Sequence, residues 1–174
     1  DSASWGREDR RGALNNITTT RVAQAALEIR SGRTVSLAAA VENEVSLDNP
    51  DPCQHRMTGP SEPEAGSSLQ FSLDRLAMNI HGNADSHLDA LSHVQYQGTL
   101  YNGVPADQVG VAGAAGLSLD VARDGIVGRG VLLDIPRVDG RRWLEPGEYV
   151  TGEALAAAEA AQHVTVGPGD LLFV

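Results

Sequence analysis

The sequence predicts a mixed α and β domain in which strands outnumber helices. Two helical segments, several short alternating or uniformly apolar stretches, and one long Pro/Gly-rich segment carry that expectation. Thr18 can cap a helix over residues 19–31, where Val22, Ala25, Ala26 and Ile29 follow the i, i+3, i+4, i+7 spacing of one face. Gly32 then supplies a left-handed stop. Residues 34–39 alternate through Val35, Leu37 and Ala39 and read as a strand. Residues 42–68 hold Pro50, Pro52, Pro60, Pro63, Gly59 and Gly66 and read as a long loop, a candidate lid. Residues 69–80 alternate again and predict one or two strands bent near Asp74-Arg75. Residues 128–135 read as a buried strand, and Thr151 caps an Ala-rich helix running to Gln162. Residues 164–166 and 171–174 read as short strands around the turn Gly167-Pro168-Gly169.

A length of 174 residues predicts a single domain over 1–174, with residues 1–18 as an N-terminal arm. Hydrophobic residues at 41% and charged residues at 21% are ordinary for a globular chain and argue against wholesale disorder. No apolar run approaches the roughly 20 residues that span a bilayer. The net charge of −10, from 23 acidic against 13 basic residues, repels phosphate backbones and anionic membrane surfaces, which argues against both as partners. Cys53 is the only cysteine, so an internal disulfide and a Cys-rich zinc site are excluded, as fits a reducing cytoplasm. The apolar run 171–174 meets no polar turn, which predicts that the sequence stops inside a larger domain.

The densest cluster of ligand-type residues is His81-Gly82-Asn83-Ala84-Asp85-Ser86-His87-Leu88-Asp89-Ala90-Leu91-Ser92-His93, which holds three of the five histidines. It follows a predicted strand, where rigid scaffolds commonly place reactive groups. On extended chain, residues i and i+2 point the same way, so His87 and Asp89 can converge on one cation. Nitrogen plus oxygen ligation suits zinc, manganese or ferrous iron better than calcium. If a helix begins near Asp89, that residue and His93 share a face, and His93 becomes a ligand or a base acting on bound water. Other readings stay open: two residues alone do not close a metal site, and Asp89 can cap a helix. His81 and Asp85 are either ligands or solvated loop residues.

Elsewhere the residues read as structural. Tyr101-Asn102-Gly103 is a turn with positive φ. Gly110, Gly113 and Gly116 miss the phosphate-binding fingerprint. His55 joins a site only if its loop is a lid, His163 sits at a helix C-terminus, Arg141-Arg142 is a surface pair near Trp143, and Cys53 lacks the setting of a nucleophile.

Taken together, these segments resemble the metal-dependent cyclase family, which includes bacterial kynurenine formamidases and isatin hydrolases. Trp5-Gly6-Arg7-Glu8-Asp9-Arg10-Arg11-Gly12-Ala13-Leu14-Asn15-Asn16-Ile17-Thr18 looks like the opening of many bacterial members. Residues 81–93, with Gly98 and Tyr101-Asn102-Gly103, look like the core motif. Gly130-Val131-Leu132-Leu133-Asp134, Leu144-Glu145-Pro146-Gly147 and Gly167-Pro168-Gly169-Asp170 resemble later blocks, so the similarity covers nearly the whole chain. The family pattern is His-x-Gly-Thr-His-x-Asp-x-Pro-x-His. Carried over by position, it implies His87 and Asp89 as metal ligands and His93 as the catalytic acid–base. Its first histidine falls on Asn83, a poor zinc ligand, and its proline on Leu91; members with the Trp-Gly opening often lack both. One metal rather than two is then implied, with His81 or Asp85 as candidate replacements for the lost ligand.

The resemblance further implies an α/β fold of the swivelling β/β/α kind, a homo-oligomer, and a divalent cofactor, zinc or manganese. It implies a metal-dependent hydrolase of an aryl or cyclic amide with a small-molecule substrate. A cyclase or dehydratase of secondary metabolism and a non-catalytic binding or scaffold protein are the alternatives. Family members continue past the position of Val174 and supply further His and Glu ligands from that part.

Overall fold

The computed structural model describes residues 5–63, 65–82 and 85–174. Its chain divides into two compact units, one formed by Asp1–Gly32 with Asp89–Val174 and the other by Arg33–Leu88. Short sheets and a few helices make up a mixed α and β fold.

The first unit is organised by a parallel strand pair. β5 (Gly130–Leu132) pairs with β6 (Leu171–Phe173) in the register Gly130↔Leu171, Val131↔Leu172, Leu132↔Phe173. Parallel neighbours require a crossover connection, and here it carries α2 (Ile135–Val138) and α3 (Gly152–Gln162). Val131, Leu133, Ile135 and Ala158 are buried between strand and helices, with Leu155, Val164 and Val166 packed against them. Thr151 caps α3 as its sequence position predicts, its side chain accepting from the N–H of Ala154. Asp134 caps α2 through the N–H of Arg137. The amide of Gln162 brackets Asp134, accepting from its N–H at 3.1 Å and donating to its carbonyl at 3.2 Å. The end of α3 is thereby tied to the end of β5.

Residues 164–166 do not form the expected strand. The Val166 N–H is satisfied by a side chain, Glu159 Oε1 at 2.6 Å, and the two valines pack on the core instead. The turn before β6 is pinned by Asp170, which accepts from the Gly167 N–H at 2.7 Å and from Arg129 Nε at 3.0 Å. The Arg129 hydrogen bond, opposed in part by desolvation and helped by that backbone bond and the guanidinium charge, holds the Asp170 carboxyl below its usual range. A Cβ at Gly128 would lie 2.6 Å from the Gly169 carbonyl, so only glycine allows this approach. A small ribbon of β3 (Val109–Gly110) and β4 (Gly113–Ala114) lies in the same unit.

The first helix, α1 (Thr19–Ala26), begins where expected, with the Thr18 side chain accepting from the Arg21 N–H. It ends earlier than 31. Leu27, Glu28 and Ile29 form tighter i→i+3 bonds, and Leu27 and Ile29 are exposed. Only Val22 and Ala25 of the predicted face are half-buried, so no packing surface holds a further turn.

In the second unit, β1 (Gln54–Met57) and β2 (Asp74–Ala77) form an antiparallel ribbon. β1 lies inside the segment read as a continuous loop, and Asp74-Arg75 begins β2 rather than bending it. Residues 34–39 alternate without forming a strand: Val35 and Leu37 are exposed and have no ladder partner among the described residues. Alternation is a pattern of side chains, and a strand also needs a neighbour for its backbone. No helix among the described residues is long and apolar enough to cross a membrane.

Candidate metal centre

The described residues of the ligand-type cluster lie on chain without regular structure after β2. Its first part is a turn, closed by the Gly82 N–H on the Asn79 carbonyl at 3.2 Å. The rings of His81 and His87 then meet edge to face, with centroids 5.4 Å apart. Nδ1 of His87 lies 2.9 Å from the backbone carbonyl of Asp85. A carbonyl only accepts, so in the neutral imidazole this bond places the proton on Nδ1 and the lone pair on Nε2. One ligand atom each of His81, His87 and Asp89 lies within 4.8 Å of the others, and all three residues are exposed. The grouping belongs to one short stretch of backbone, 81–89.

The structure places the sequence-predicted residues unequally. His87 and Asp89 come together, and His81 joins them. Asp85 contributes its backbone carbonyl to His87, while its Oδ1 is buried without a hydrogen-bond partner among the described residues. Asn83 lies outside the described residues. His55 is held elsewhere, with Nε2 2.9 Å from Asp74 Oδ2 on the β1–β2 ribbon.

No helix starts at Asp89. A turn closed by the His93 N–H on the Ala90 carbonyl, 2.9 Å, brings His93 Nε2 to 3.8 Å from Asp89 Oδ2. Buried Ser92 anchors that turn through its N–H to the Leu117 carbonyl. The N-terminal arm supports it from the other side. Gly12 adopts φ +56°, which favours glycine, and a Cβ there would lie in ordinary contact with Leu91 Cδ1 at 3.4 Å. Asp9 anchors the arm, accepting from Tyr101 Oη (2.7 Å), Asn15 Nδ2 (2.6 Å), the Gly12 N–H (2.9 Å) and the Arg11 N–H (3.2 Å). Desolvation works against its ionisation, but these four bonds outweigh it and hold the Asp9 carboxyl far below the usual range. Asn102, at φ +59°, donates to the carbonyls of Gly6, Arg7 and Asp9. Sequence reading found the 101–103 turn but not this clamp, because nothing local to either segment specifies a contact so distant along the chain.

A family model described as "Putative cyclase" matches residues 17–174. The chain belongs to this cyclase family. A solved protein described as a novel cyclase is 36% identical, covers 97% of this chain and superposes with a TM-score of 0.83. This chain spans 59% of the length of that cyclase. Among curated proteins no match is found. The family read from the opening and core motifs is therefore the one to which the chain belongs, and its mixed α and β architecture matches that of a cyclase-family structure.

The donors in this cyclase-family chain suit a divalent transition metal. Two imidazoles and a carboxylate are borderline-to-hard ligands of the kind that zinc and manganese take. Ligand atoms about 2.1 Å from a shared ion stand at most about 4.2 Å apart, so small side-chain adjustments would close the group. Asp85 stands two residues before His87, outside this group, and its buried Oδ1 is an acceptor without a partner among the described residues.

Proposed function

We propose that this cyclase-family chain carries the metal site of a metal-dependent hydrolase acting on an aryl or cyclic amide. The observation that carries the reading is the His81, His87 and Asp89 group, with His93 next to its carboxylate. A divalent ion, zinc or manganese, would polarise an amide carbonyl and acidify water there.

The chain's own residues do the rest. His87 would hold the ion through Nε2, because Asp85 engages Nδ1 and fixes the ring. Asp89 and His81 would supply the other protein ligands. His93 takes a proton from the attacking water and returns it to the leaving nitrogen. The turn 90–93, buttressed by the arm, holds that imidazole in place. The protein would act as a homo-oligomer on a small molecule in the cytoplasm.

The experiment is His93→Ala with metal content monitored. Amide hydrolysis should fall by about 10²–10⁴-fold, the usual worth of a general base, with metal content unchanged. Full activity in that variant would show the assigned base to be wrong. A second reading is favoured by the family's description and by the solved relative: ring closure or dehydration through the same proton transfers. Product analysis with ring-closing substrates separates the two.

A further inference from the structure

Arg56 on β1 and Arg75 on β2 are directly opposed in the antiparallel register. Two residues along, the Thr58 N–H donates to the Leu73 carbonyl at 2.7 Å. Hydrogen-bonded pairs recur at every second position, so Arg56 and Arg75 form one, with both side chains on the same face of the ribbon and α-carbons about 5.5 Å apart. Like charges placed this way destabilise a ribbon. Both strands are exposed along their whole length, so no buried apolar packing offsets the repulsion. Among the described residues no carboxylate pairs with either guanidinium, although the chain carries 23 acidic residues. The adjacent acid, Asp74, is engaged by His55 and belongs to the opposite face. A recess of about 310 Å³, lined by Gln54, His55, Arg56, Arg75 and Ala77, opens beside the pair. Gln54 lies on the arginines' face and adds an amide donor.

We propose that the Arg56–Arg75 pair is a binding site for a small oxyanion, a carboxylate or phosphate group bridging both guanidiniums. Each guanidinium presents a rigid fork of N–H donors matched to such oxygens, and one anion between them converts a repulsive pair into a bridged one. Ordering of the β1–β2 ribbon is then coupled to occupancy, because the anion removes the charge repulsion between its strands.

The test is a low-salt titration of the full chain, isotopically labelled, with inorganic phosphate and separately with acetate. It follows the arginine Nε–H resonances and the hydrogen exchange of the Thr58 amide. The expected result is a saturable shift at both Arg56 and Arg75 and slower exchange at Thr58. Arg75→Gln should bind about tenfold more weakly, and the double variant Arg56→Gln/Arg75→Gln should not respond. A stronger response to phosphate assigns a phosphoryl ligand, and a stronger response to acetate a carboxylate. Without anion, Thr58 should exchange more slowly in Arg75→Gln than in the parent, because the repulsion is gone; loss of binding is then not loss of the ribbon. Unsaturable shifts that track ionic strength alone, or a double variant that responds like the parent, would overturn the proposal.

Discussion

The phenol of Tyr101 donates a 2.7 Å hydrogen bond to Oδ2 of Asp9 and ties the N-terminal arm to the turn at 101–103. The bond acts on both partners. It is the largest influence raising the Tyr101 hydroxyl above its ordinary value, ahead of desolvation and the Asp9 charge. Tyr101→Phe should lower the melting temperature by a few degrees, as loss of one partner from a satisfied network does, and calorimetry checks it.

The pH dependence follows from the depressed Asp9 carboxyl. Its unfolded form binds a proton at about 3.9, whereas the folded form resists protonation, so the unfolded state binds more protons in this range. The stabilisation is fully present above that unfolded value and is lost progressively as pH falls toward the folded one. Asp9→Asn should therefore flatten the acid limb of the stability curve between about pH 5 and pH 2, measured by urea midpoints. An unchanged acid limb in the variant would contradict this assignment.

Leu133 is 1% exposed and continues β5 with its N–H on the Phe173 carbonyl at 2.8 Å. Leu133→Ala opens a cavity between strand and helices and should cost about 2–5 kcal/mol, read from the denaturant midpoint at unchanged slope.

Gly128→Ala would press a methyl group to 2.6 Å from the Gly169 carbonyl, a backbone atom that cannot turn aside. The strand entry must shift, at a cost of about 1–3 kcal/mol. Hydrogen exchange at the Leu171 amide, which bonds the Arg129 carbonyl at 2.8 Å, should report the loosening directly.

His81→Ala and His87→Ala should each weaken zinc retention by at least the 10–100-fold that loss of an outer partner costs, while His93→Ala leaves it unchanged. Equilibrium dialysis with zinc alone measures all three. Equal affinity in parent and His81→Ala would remove that residue from the ligand set.

What could be read in advance was whatever local chemistry decides. The caps at Thr18 and Thr151 and the positive φ of Asn102 follow from a few neighbouring residues. The His87 and Asp89 pair follows from the two-residue repeat of extended chain. The expected helix at Asp89 was not there, since the choice between helix and turn at 90–93 rests on the distant Leu117 carbonyl. The strand within 42–68 was hidden among prolines, and its partner is β2, too far along the chain for any local signal. The place of His81 beside His87, ring centroids 5.4 Å apart, is not set by composition or by the two-residue repeat.

Gly12 adopts φ +56°, and a Cβ built on it would rest in ordinary contact with Leu91, two positions before His93. The opening segment thus meets the histidine-bearing motif at a position where the handedness of the backbone, rather than want of room, selects glycine.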